Sequence, residues 1–229
     1  MAARVGIHCS VKLTLLVALM SLLMPCLASA QDLVESNVVS EKAPEAVIAS
    51  AVKAVGELGK SVVQGKYRVA VERMNPKEKA RLAKQLGSLK VLEERLEGVS
   101  AEMVKQGVRI LSCKPQGKPV AYGVEPKMQQ GEKGVGGAGQ APSRMHFTQW
   151  LVIVPTITRF EVLHRAENQA AKWIEIQSLS YQVAVSDRGK NDWTFIDGAG
   201  LSVSHLRNLY MTLPAEIELP KVHKRQVNN

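Results

Sequence analysis

The sequence predicts an α+β domain: N-terminal helices packed on a curved, cone-like antiparallel sheet, with one short helix near the C-terminus. Three observations carry this. Apolar residues recur every three or four positions from Pro44 to Met103. After Gly107 that period gives way to short runs of β-branched and aromatic residues. The stretch Lys172–Gly200 holds two of the three Trp and reads as two strands around the polar turn Asp187–Asn191.

Ahead of the domain lies an export signal. Arg4 and Lys12 precede the apolar run Leu13–Leu23, and Ala28-Ser29-Ala30 supplies small residues for cleavage between Ala30 and Gln31. Eleven helical residues rise only about 16 Å, too short for a hydrocarbon core of about 30 Å. The chain is therefore expected to divide into a signal peptide (1–30), a flexible lead-in (31–43), one α+β domain (44–220) and a basic tail (221–229). No later segment is apolar enough to span a membrane. The expected location is the periplasm or the exterior.

Cleavage removes Cys9 and Cys26, so Cys113 remains alone without a disulfide partner and reads as a small apolar residue on a strand. Removing Arg4 and Lys12 lowers the formal charge from +9 to +7. The basic excess is spread out rather than interleaved with aromatics, and export argues further against nucleic acid.

Within the domain, Val47, Ala51, Val55, Leu58 and Val62 form one apolar stripe after Pro44. Gly56 and Gly59 either weaken this helix, by up to about 1 kcal/mol each, or allow close packing. Gly65 ends it, and Lys66–Met74 forms a second helix. Asn75-Pro76 opens a third, with Asn75 as cap and Glu78 placed to reach back as a capping-box acid. Leu82, Leu86, Leu89, Leu92, Leu96, Val99 and Met103 continue its stripe, and Gly87 or Gly98 bends or splits it.

Val108–Ser112 and Val120–Val124 read as one bent strand or two. Lys127–Ala141 is a glycine-rich loop. Met145–Val154 is a strand that Pro155 ends or marks as an edge, and Thr156–Leu163 continues it. Along Trp173–Val185 the apolar positions switch from even to odd near Leu179, which implies curvature or a bulge. Trp193–Ile196 returns, Asp197-Gly198 stops it, and Ser202 caps Val203–Met211.

Gly65-Lys66-Tyr67 with Met74-Asn75-Pro76, and Trp193–Leu201 with Leu206-Arg207 and Leu213-Pro214, resemble the nuclear-transport-factor-2-like (cystatin-like) superfamily. The likeness is to its small secreted or periplasmic bacterial members. It spans roughly Pro44–Pro220 and implies a cone with a cavity between sheet and helices. The glycine-rich loop is not part of that pattern, and the fold does not select a function.

No catalytic constellation is evident. Gly136, Gly137 and Gly139 lack the Lys-Ser/Thr ending of a phosphate loop. The histidines do not share metal-ligand spacing, and no Gly-x-Ser-x-Gly elbow occurs. Asp197 reads as a turn former. If the cone encloses a cavity, Glu175, Gln177, Tyr181, Trp150 and His146 are its candidate lining. No cofactor or metal is expected. The expected function is a non-catalytic exported domain that binds a small ligand or an envelope component, or assembles with others, a second copy of itself included. One alternative is an enzyme using Glu175 as acid or base. Another is a protein whose basic tail docks on the envelope.

Overall fold

The computed structural model describes residues 42–129, 144–164 and 170–227. The expected signal peptide and cleavage site, the lead-in up to residue 41 and most of the expected glycine-rich loop lie outside the described residues. The described residues form one compact unit.

Helix α1 (Glu45–Val63) buries Ala51, Ala54, Val55, Leu58 and Gly59, the stripe its sequence lays out. Gly59 serves close packing. A side chain there would strike the backbone carbonyl of Cys113 on the strand beneath. After α2 (Arg68–Glu72), Asn75 caps α3 (Pro76–Leu86) by accepting from the amide of Lys77 at 3.2 Å. The long helical stripe is split at Gly87, whose φ of 93° gives the left-handed stop. Ser88 then caps α4 (Leu89–Lys105), accepting from Val91 N at 3.2 Å.

The helices precede a six-stranded antiparallel sheet. Its strands are β1 (Val108–Pro115), β2 (Val120–Gln129), β3 (Arg144–His164), β4 (Lys172–Asp187), β5 (Thr194–Asp197) and β6 (His223–Gln226). Strands β3 and β4 form the central pair. Along the outer side of β3, β1 and β2 lie end to end, so the region after Gly107 is two strands in one line. Along the outer side of β4, β6 and β5 do the same. The basic tail therefore adds a strand to the sheet, His223–Gln226 pairing with Ile176–Leu179.

Pro155 does not end β3. It sits where β1 hands over to β2, between Ile153, paired with Val120, and Thr156, paired with Pro115. A residue without an N–H is tolerated there because no ladder bond is required of it. Its carbonyl accepts from Gln116 N at 2.9 Å.

Of the curvature or bulge expected near Leu179, the central ladder shows no bulge. β3 and β4 pair without a shift from Gln149–Asp187 to His164–Lys172, and the irregularity lies in β1 between Ile110 and Ser112. What changes at Leu179 is the layer over the sheet. In the half holding Leu151–Val154 and Val183–Ser186, both faces are covered. Trp150, Val152, Val154, Ala184 and Phe195 pack with α1. Leu151, Ile153, Tyr181, Val183 and Val185 pack with Leu206, Tyr210, Leu213 and Ile217. The second cover comes from α5 (Val203–Leu209) and the chain after it. In the other half, Phe160 and Ser178 on the helical side remain buried, while Trp173 and Leu179 on the opposite side are exposed.

Candidate functional site

The five residues expected to line a cavity are not brought together. Tyr181 is 1% exposed in the core under α5, and its hydroxyl donates to Leu201 O at 3.1 Å. Burial, helped by the charge of Asp197, pushes its phenol up to about 12. Trp150 is 5% exposed and lies in the other core, under α1. His146 is exposed at the start of β3, opposite Lys127. Side chains alternate across a strand, so an even-numbered Trp150 and an odd-numbered Tyr181, on strands in unshifted register, face opposite ways. The shared cavity is replaced by two packed cores.

Glu175 and Gln177 stand on the half-sheet face that the α5 segment does not cover. A polar lattice surrounds them. Arg109 pairs with Glu161 across β1 and β3. Glu161 is directly opposite Glu175 in the register, a juxtaposition of like charges that needs cations nearby. Arg159 Nε supplies one, 2.5 Å from Glu175 Oε1. That contact is one of charge rather than a directed hydrogen bond, since the oxygen otherwise lacks a donor. Arg225 of β6 donates to Gln177 Oε1 at 3.3 Å, and the Arg109 guanidinium lies 4.7 Å over the Trp173 ring.

A groove of about 420 Å³ opens at the other end of the sheet, lined by Lys77, Glu125, Pro126, Lys127, Thr148, Gln149 and Asp187. Glu125 holds a left-handed φ of 58° in mid-strand, and Thr148 Oγ1 donates to its carbonyl at 2.9 Å. The Lys77 ammonium pairs with Glu125, donates to Leu209 O at 3.0 Å and stands 4.6 Å over the Tyr210 ring. Asp187 is held below the usual carboxylate range by hydrogen bonds from Lys190 and Gln149.

Beneath Lys77 lies a buried hub that sequence reasoning missed. The Asn75 side chain caps α3 and also donates to Thr194 Oγ1 at 3.1 Å and to Tyr210 OH at 3.0 Å. The backbone N–H of Asn75 donates to Phe195 O at 2.8 Å. That amide is therefore not met by Glu78, and the capping-box expectation fails. Glu78 is instead clasped by Arg81 through two hydrogen bonds of 2.8 and 2.7 Å, and lies 3.0 Å from His205 Nε2. Burial raises its pKa, but the hydrogen bonds and charges of Arg81 and His205 outweigh this and hold it at about 2. The sequence marked Asn75-Pro76 as punctuation, yet nothing local identified His205 as the partner of Glu78.

Asp197 bonds the amide of Ala199 at 3.3 Å, as a turn former does. Cys113 is a free thiol that accepts from Thr158 Oγ1 at 3.4 Å. Among the described residues, no group of three His, Cys, Asp or Glu side chains is placed to hold a metal ion. Among the same residues, no helix is long and apolar enough to cross a membrane.

Comparison with known proteins returns no match: no family model, no curated protein and no solved structure is significantly similar to the chain.

Proposed function

We propose that this is an exported, non-catalytic domain of the bacterial cell envelope that recognises its partner at its surface. One observation carries the reading. Trp150 and Tyr181, which a ligand cavity within a cone would need on one wall, each fill a packed core on opposite sides of the sheet. The converging polar side chains lie outside those cores, in the open groove and on the uncovered half-sheet.

The carboxylates fit this reading. Glu78 is fixed as an anion by Arg81 and His205, and Glu175 stands against Arg159. Both serve as charge partners within the fold. The helix-then-sheet order supports a nuclear-transport-factor-2-like arrangement with its cone filled rather than hollow. Export rests on the segment from Arg4 to Ala30.

The test is to express the full chain with a C-terminal tag in a bacterial host, fractionate the cells and sequence the N-terminus. A mature species beginning at Gln31 in the periplasm or envelope is expected. An uncleaved chain confined to the cytoplasm would overturn the proposal.

A further inference from the structure

The uncovered half-sheet carries more positive charge outward than its composition suggests, because its two signs sit at different depths. The Glu161 and Glu175 side chains are 18% and 15% exposed, whereas those of Arg109 and Arg159 are 60% and 47% exposed. The carboxylates lie down against the sheet and the guanidiniums rise above them. In both pairs the contacting nitrogen is Nε. The terminal amino groups of each fork therefore have other directions in which to donate. Arg225, exposed on β6, adds a third guanidinium, and Lys114, opposite Ile157, adds an ammonium on the same face. These four cations and two carboxylates leave a net charge of +2.

The register fixes how the cations are spaced. Arg109 is opposite Glu161, two residues along β3 from Arg159, and Arg225 is opposite Gln177, itself opposite Arg159. A rise of about 3.4 Å per residue and about 4.8 Å between strands put Arg109 about 8 Å from Arg159, and Arg159 about 10 Å from Arg225, at Cα. The three arginines thus form a bent row across the sheet, on β1, β3 and β6, with β4 between the last two. One small anion is too short to reach from one end of this row to the other. A chain with regularly repeated anionic groups would touch all three.

Resting on the surface-recognition reading above, we infer that this face binds a phosphate-bearing envelope polymer. The Arg109–Arg159–Arg225 row grips successive phosphates, and Trp173 and Leu179 border it with apolar contact. Charge complementarity selects the occupant. A planar fork donating two parallel N–H groups matches a tetrahedral phosphate. Guanidinium sheds its water more readily than ammonium does. Arg rather than Lys at all three sites in the row fits that chemistry.

The experiment uses the mature chain and three probes: soluble poly(glycerol phosphate), polygalacturonate (carboxylates only) and vesicles of phosphatidylglycerol in phosphatidylcholine. Binding to poly(glycerol phosphate) is expected, weakening steeply with salt as a screened interaction must. Each Arg replaced by Gln is expected to cost about tenfold in affinity, the lower end for a charge-assisted hydrogen bond. Removing Arg109 or Arg159 strands a sunken carboxylate and risks the fold. Lys114 and Arg225 have no carboxylate partner among the described residues, so the Lys114→Gln/Arg225→Gln pair keeps the test open, with circular dichroism confirming the fold.

A matched control, Lys53→Gln/Lys60→Gln on α1, removes equal charge elsewhere and should leave binding within about twofold. Equal loss in the control, unchanged binding in the Arg225 pair, or preference for polygalacturonate or vesicles would each overturn the assignment. A cytoplasmic, uncleaved protein that still bound the polymer this way would sink the export reading alone.

Discussion

Glu78 Oε2 lies 3.0 Å from Nε2 of His205, 127 residues away in sequence, and this contact ties α3 to α5. Helix α5 holds the C-terminal cover over Tyr181 and Val183, so a contact to a buried carboxylate fastens one layer of the core. The Glu78 side chain is 3% exposed, so its hydrogen bonds to Arg81 and His205 are far less screened than contacts at the surface.

Stability should therefore depend on Glu78 at low pH. Its folded-state pKa is depressed from 4.5 to about 2. The stabilisation is fully present above 4.5 and is lost as the pH falls through about 2. A difference of that size corresponds to about 3 kcal/mol. Urea unfolding of wild type and Glu78→Gln, followed from neutral pH downward, should show a gap that narrows toward acid. Parallel curves at every pH would remove the carboxylate from this role.

Asn75 joins the α3 cap, β5 and the C-terminal segment with one side chain. Asn75→Ala should lose the cap, about 1 kcal/mol, and leave the buried Tyr210 hydroxyl without its donor, while Thr194 keeps its bond to Val185 O, for a total of about 2–4 kcal/mol. Tyr210→Phe removes one of these bonds and should cost about 1 kcal/mol. A double-mutant cycle by chemical denaturation should find the two effects strongly non-additive; simple additivity would refute the shared hub.

Two helical glycines should respond with opposite signs. Gly59→Ala drives a methyl group into the Cys113 carbonyl and should destabilise, despite a helix-propensity gain of up to about 1 kcal/mol. Gly98→Ala on α4 has nothing within 4 Å of the new Cβ and should stabilise by roughly that gain. Thermal melts of both variants settle the matter, and a stabilised Gly59→Ala would contradict the close crossing of α1 over β1.

Cys113 should be slow to react. Burial pushes its thiol up from 9.0, Asp197 adds to this, and Thr158 only partly offsets it. Maleimide labelling at neutral pH should run markedly slower in the folded protein than in urea. Equal rates would mean that the thiol is not sheltered by α1.

Much of the fold was legible because its signals are local. The stripe of α1, the Asn75-Pro76 start, the Gly87 stop, the Ser202 cap and the Asp197-Gly198 turn each follow from residues within one or two helical turns or strand lengths. The candidate site was not legible in this way. Glu175, Gln177 and Tyr181 share an odd-numbered face, which the sequence does show. That α5 returns to cover Tyr181 but stops short of Glu175 follows from long-range packing, which no periodicity encodes.

The same division holds for the molecule. By itself the sequence determined the helix-then-sheet order and the apolar faces, because these depend on spacing along the chain. Only the tertiary structure decided that the switch at Leu179 is a change of cover, that Pro155 fills a gap between two collinear strands, and that Glu78 answers to His205. Each rests on groups brought together from distant positions, where burial and lost solvation set the energies.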